Sequence, residues 1–187
     1  MNALEINTPK QRLWFVDNLK CLLIVLVVVG HCIQYHIEDF DHNIVFRYIY
    51  SFHMPLFIFI SGFVSYKRNP QLGSIKKRAC QLLLPFVCWS MLAMTMSGNW
   101  SMSWLVKPDT SLWFLWVLFW IGTLHVCMIR PIQKFKYGEE IVMAIASVLL
   151  LGVLLVSKLS FGFHLVAWYF PFYCMGYVTK KYWDKVY

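Results

Sequence analysis

Asp17, Lys20 and His31 stand in the run DNLKCLLIVLVVVGHC, an acid, a cation and an imidazole among branched aliphatic residues. Such groups bind anions and hold or move protons, and at membrane depth they are costly enough to mark a functional site by default. Successive residues of an α-helix turn by about 100° and rise about 1.5 Å, so Lys20 and His31 differ by roughly 20° and about 16 Å. Asp17 falls roughly 40° off that line. All three can therefore point into one protein interior while Leu22, Ile24 and Val25 cover other directions. Each residue also has a plainer reading: Lys20 snorkels to the interface, Asp17 caps the helix, and His31 bonds a neighbouring helix. Cys32 and His31 do not make a nucleophile pair, because adjacent helical residues do not face each other.

A bilayer is the solvent these residues imply. The chain has 187 residues, 59% of them hydrophobic and 14% charged, and a mean hydropathy of +0.57. Stretches of about 17–25 predominantly apolar residues give six candidate spans: 19–37, 46–66, 79–98, 112–129, 141–157 and 163–179. The expected fold is an all-α polytopic transmembrane bundle with both termini cytoplasmic. Short connections carry turn residues at Asn69-Pro70, Gly73-Ser74, Pro108-Asp109 and Tyr137-Gly138.

The net charge of +8 is distributed as topology. Arg12, then Lys67, Arg68, Lys76, Lys77 and Arg78, then Arg130, Lys134 and Lys136, and finally Lys180, Lys181 and Lys185 fall on every second connection. This is the positive-inside pattern, and it argues against a nucleic-acid partner. The polar start followed by an apolar run without a small-residue cleavage site reads as a retained first span, and residues 1–11 as an N-terminal cytoplasmic segment. Six cysteines at scattered positions suggest no metal site or redox pair and read as buried small hydrophobes. The stretch YHIEDFDH, 35–42, has metal-ligand types without diagnostic spacing and reads as a solvated outer loop.

In the second span, Pro55 withdraws a donor and disfavours helix at Met54, so a kink and a freed carbonyl near Ser51 are expected. Irregular backbone at that depth must be covered by protein or line a cavity, which turns His53 toward a polar interior. His53 either meets a substrate or bonds a freed carbonyl. Ser61 either lines the site or bonds its own helix, and Gly62 permits close packing. Trp113, Phe114, Trp116, Phe119 and Trp120 read as an aromatic belt at the outer interface that continues into lipid-facing core.

The ordered motifs VDNLKCLLIVLVVVGH, YSFHMPLFIFISGF, KKRACQLLLPFVCW and SLWFLWVLFW resemble the acyltransferase 3 family of membrane O-acyltransferases, in its fucose 4-O-acetylase-like branch. The resemblance assigns residues 12–187 to one domain, corresponding to an N-terminal part of a family that typically has more spans. It implies a multi-pass enzyme of the bacterial inner membrane. That enzyme takes an acetyl or other acyl group from acyl-CoA, a donor substrate rather than a resident cofactor, and places it on a hydroxyl of a carbohydrate acceptor. The family's basic residue and histidine in the first span fall on Lys20 and His31, where the family more often has arginine at the first position. His31 then serves as general base, with Lys20 as the second catalytic candidate on the same face at a different level, and Asp17, His53, Ser61 and Arg78 are candidate substrate-binding residues. No metal is expected. Beyond acyl-CoA, carbohydrate and lipid bilayer, the expected partner is a second copy of the chain or a missing C-terminal half. A small-solute transporter and a non-catalytic membrane component are the alternatives; no inverted pair of Gly/Pro-broken segments supports the former.

Overall fold

The computed structural model describes residues 13–66, 73–98, 112–132, 135, 137–156 and 161–186. The segment 1–11 lies outside these residues, as do Arg12, Lys67, Arg68, Asn69-Pro70, Pro108-Asp109, Lys134 and Lys136. Among the described residues every regular element is helical, so the protein is all-α. It divides into two compact units, Met1–Phe57 and Ile58–Tyr187.

The first unit holds α1 (Trp14–His36), a single 3-10 turn (Phe40–His42) and the first part of α2 (Ile44–Ser65). A buried or half-buried stripe runs along α1 through Val16, Lys20, Leu23, Val27, Gly30 and His31, at helical spacing. Leu22, Ile24 and Val25 are each more than half exposed on its other faces. That much bare aliphatic surface on one helix suits acyl chains rather than water. The connection 37–43 is solvated as expected: the Asp39 carboxylate receives the His42 Nδ1 hydrogen bond at 2.7 Å, with both side chains largely exposed. Asn43 begins α2 by accepting the backbone N–H groups of Val45 and Phe46 at 3.0 and 3.1 Å, which satisfies two of the helix's orphan donors.

α2 continues through Pro55 as one helix. The buried His53 donates from Nδ1 to the carbonyl of Ile49 at 2.7 Å. The carbonyl it bonds lies half a turn before the Ser51 carbonyl that Pro55 leaves without its usual donor.

The second unit contains the end of α2, then α3 (Gly73–Arg78), a π turn (Ala79–Leu83) and α4 (Leu84–Ser97). It continues with α5 (Trp113–Ile129), α6 (Gly138–Val156) and α7 (Phe163–Val186). The π turn joins α3 to α4, where the Leu84 N–H reaches back to the Ala79 carbonyl. Pro85, which has no N–H to give, follows at once, so the wide turn relieves the backbone where the regular ladder would fail.

Among the described residues, four helical stretches are long and apolar enough to cross a membrane: Trp14–His36, Ile44–Ser65, Ile75–Met96 and Gly138–Val156. α5 is apolar but only 17 residues long. It is also the central helix of its unit, packed against α3, the π turn, α6 and α7. This position corrects the belt expectation. None of Trp113, Phe114, Trp116, Phe119 and Trp120 is exposed; Trp113 stacks on Tyr169 at 5.6 Å, and Trp116 donates to the Phe161 carbonyl at 3.0 Å. The rings are apolar mass inside the bundle because α5 is covered on several sides. The cysteines are corrected in the opposite sense. Cys174 is buried, whereas Cys21, Cys32, Cys80, Cys88 and Cys127 are exposed and free, on helix faces that lipid rather than protein would cover.

α6 and α7 pack most extensively. At one end Lys181 meets Glu139 at 2.7 Å and Glu140 at 2.8 Å, with the acids in the first turn of α6, where the helix dipole favours them. Desolvation works against the Lys181 ammonium, and its bonds to the two carboxylates outweigh it, so its pKa stands above the ordinary lysine value.

Candidate functional site

The sequence-derived candidates fall in two polar clusters, one in each unit. In the first, Gly30 brings α1 against α2: a Cβ there would come within 2.8 Å of the Tyr50 ring. Tyr50 stacks on Phe46 at 4.1 Å and meets the His53 ring edge-on at 4.7 Å. His31 follows Gly30 on the half-buried stripe, within electrostatic range of His53. Its Nδ1 faces Gln34 Oε1 at 3.3 Å. A carboxamide oxygen only accepts, so Nδ1 carries the proton, and a neutral ring then has its lone pair on Nε2. His53 is set the same way by the Ile49 carbonyl. Two imidazoles in the tautomer that can accept a proton at Nε2 therefore stand in one unit, with a tyrosine beside one of them. Lys20 lies on the same stripe as His31, and Asp17 is half-buried near its start.

In the second unit, α2 and α7 approach backbone to backbone. A Cβ on Gly62 would overlap the Tyr173 carbonyl, and one on Gly176 would overlap the carbonyl of Phe59. This is the small-residue contact by which membrane helices close together. The crossing sets the Tyr173 hydroxyl where Arg78 Nη1 donates to it at 2.9 Å. Arg78 itself lies over Gly122 of α5, where any Cβ would collide with the guanidinium. The guanidinium, at the end of α3 and immediately before the π turn, is thus held by two neighbouring helices.

Arg78, Ser61, Lys77, His125, Tyr173 and Tyr177 are among the residues lining a cavity of about 360 Å³, which has an apolar wall that includes Val64, Leu118 and Val126. His125 is 2% exposed, with the rings of Tyr173 and Tyr177 at 5.2 and 4.3 Å. Among the described residues its Nε2 and the Tyr177 hydroxyl have no hydrogen-bond partner.

The sequence-derived candidates therefore separate. His31, Lys20, Asp17 and His53 belong to the first unit, and Ser61 and Arg78 to the second, where they line one cavity. Sequence reasoning missed Gln34, Tyr50, His125, Tyr173 and Tyr177. His125 carried the same signal as His31, an ionisable residue in an apolar span. The tyrosines carried none, since their hydroxyls acquire meaning only from helix crossings.

Comparison with known proteins adds to this geometry. A family model described as an acyltransferase domain matches residues 13–187. The chain is similar to nodulation protein NolL of Mesorhizobium japonicum, 31% identical over 183 residues, covering 88% of this chain and 47% of that protein. It is also similar to nodulation protein NolL of Sinorhizobium fredii, at 29% identity with 88% and 48% covered. The chain thus spans about half the length of the curated relatives it matches. No solved structure matches it.

Proposed function

We propose, from the premise that this chain belongs to the acyltransferase domain family, that it works as a membrane O-acyltransferase. It moves an acetyl or other acyl group from a coenzyme A thioester to a hydroxyl of a carbohydrate. The supporting observation is the half-buried line of Lys20 and His31 on α1, with the His31 Nδ1 proton engaged by Gln34 and Nε2 left to accept. An alcohol attacking a thioester must lose its proton as the new C–O bond forms, and an imidazole with a lone pair at Nε2 takes it. The C–S bond breaks, and the thiolate leaves as coenzyme A and is protonated. His53 binds the acceptor, while Lys20, about 16 Å along α1 toward the cytoplasmic end, offers its charge to the donor's phosphates, with Asp17 at the same end. Arg78 and Ser61 belong to the donor's cavity.

With basic connections inside, six spans cross the inner membrane of a bacterium, residues 1–11 lie in the cytoplasm and residues 12–187 form the acyltransferase domain. The cavity in the second unit then opens near the cytoplasmic side, where the thioester is found.

The test is steady-state transfer by the full reading frame in nanodiscs, followed both as thiol release and as base-labile acetyl on a glycan. His31→Ala should lower turnover by about 10²–10⁴-fold with membrane insertion unchanged. Normal turnover by His31→Ala would assign the stripe to structure and leave the base elsewhere.

A further inference from the structure

Acyl transfer with His31 as base needs one more group, a hydrogen-bond donor for the thioester carbonyl oxygen, which takes up negative charge as the acceptor hydroxyl attacks. The side chains considered so far do not provide it. The neutral His31 and His53 rings carry their protons on Nδ1, engaged by Gln34 and by the Ile49 carbonyl, so at Nε2 both only accept. Lys20 lies about 16 Å along α1 from His31, and Gln34, which gives its oxygen to His31, is exposed. Tyr50 is placed differently. Its ring occupies the space beside Gly30, with Cε2 at 2.8 Å and Cζ, the carbon that bears the hydroxyl, at 3.8 Å from the position a Cβ would take. It is also within electrostatic range of Tyr35, one turn beyond His31. Gly30 and Tyr35 bracket His31 on α1, so Tyr50 stands at the level of the base. Phe46 stacks on its ring at 4.1 Å and His53 meets it edge-on at 4.7 Å. Tyr50 is half-buried, and among the described residues its hydroxyl has no hydrogen-bond partner.

We propose that Tyr50 is a further catalytic residue, whose hydroxyl donates to the thioester carbonyl oxygen while His31 takes the acceptor's proton; this role rests on the reading of His31 as general base. As the acceptor oxygen bonds to the carbonyl carbon, its proton passes to His31 Nε2 and the carbonyl π pair moves onto oxygen, where the hydrogen bond from Tyr50 strengthens. The pair then returns, the C–S bond breaks, and the departing thiolate takes the proton from His31. Tyr50 keeps its own proton throughout. Because its ring is already fixed by Gly30, Phe46 and His53, the donor needs no reorganisation when the charge appears. Gly30 acquires a part in the reaction as well as in packing, since only a residue without a Cβ leaves the ring this close to the base.

Two measurements on the full reading frame in nanodiscs test the assignment: turnover in acetyl transfer, and the infrared carbonyl stretch of bound isotope-labelled acetyl-CoA, which falls when the oxygen accepts a hydrogen bond. Tyr50→Phe keeps the ring and removes only the hydroxyl. It should lower turnover by about 10²–10³-fold, the value of one oxyanion donor, and move the band to higher wavenumber. His31→Ala should leave the band where it stands in the unmodified protein. Gly30→Ala keeps the hydroxyl but pushes the ring aside, so it should move the band in the same direction with little change in unfolding temperature, and it carries the test if Tyr50→Phe folds poorly. Unchanged band and turnover in Tyr50→Phe, with turnover lost in His31→Ala, would make Tyr50 a packing residue and leave the base in place. A fall in turnover without movement of the band would assign the hydroxyl to the acceptor and overturn the proposal equally. Normal turnover in His31→Ala would instead reject the base reading on which it rests.

Discussion

Gln34 is the residue that gives His31 a direction. Its side-chain oxygen accepts the Nδ1 proton at 3.3 Å, and Gln34→Leu removes that constraint while sparing the imidazole. Turnover should fall by about tenfold, less than in His31→Ala, and Gln34→Asn should recover little because its shorter arm cannot reach; steady-state transfer measures both. Lys20 is tested through charge. Lys20→Arg keeps it and should hold at least wild-type activity, whereas Lys20→Met keeps the stem and should lose most of it. Equal rates for the two would reduce Lys20 to an interfacial anchor. At this scale the sequence was legible where spacing alone carried the meaning, because Lys20 and His31 do share one stripe of α1 and Leu22, Ile24 and Val25 do face elsewhere. Gln34 and Tyr173 could not be read in the same way. Their roles depend on a rotamer and on a helix crossing, and neither leaves a periodicity in the chain.

The helices meet through glycines, and the consequences can be measured. Gly62 and Gly176 sit against the backbones of α7 and α2, so Gly62→Val should force the two apart and destabilise the unit by about 1–3 kcal/mol, read as a lower unfolding temperature in detergent. Gly152→Val is the matched control, since nothing lies within 4 Å of the position a Cβ would take, and it should change little. Helix positions followed from apolar runs and turn residues. α1, α2 and α6 fall within a few residues of the spans read from the sequence, although α7 runs on to Val186, where Lys181 reaches Glu139 and Glu140. The π turn was not legible, because it answers a local conflict between Pro85 and the ladder rather than a pattern of polarity. Nor was the inward packing of the α5 aromatics. An aromatic run looks the same at a lipid interface and in a bundle centre, and only the neighbours of α5 distinguish them.

For the whole molecule, the orientation proposed from the alternating basic connections can be tested directly. In a background with the native cysteines replaced, cysteine at 74 or 134 should be shielded from an impermeant reagent added outside, and cysteine at 41 should react. Labelling at 134 from outside would reverse the orientation and exchange the donor and acceptor sides. The length comparison bears on assembly. The chain spans 47% of one relative and 48% of another, and polar faces along α1 gain only about 0.6 kcal/mol per interhelical contact on average in a bilayer. The 187 residues expressed alone should therefore insert but remain catalytically silent, and should run as an oligomer or a complex when mass is measured in mild detergent. A monomer that turns over would show that these helices suffice.

The central claim is tested most directly with sealed membrane vesicles carrying the full reading frame, supplied with radiolabelled acetyl-CoA on one face only. Donor on the cytoplasmic face should yield base-labile acetyl on a glycan, lost in His31→Ala. Label that enters glycan equally well in His31→Ala, or only when the donor is on the outer face, would contradict the account.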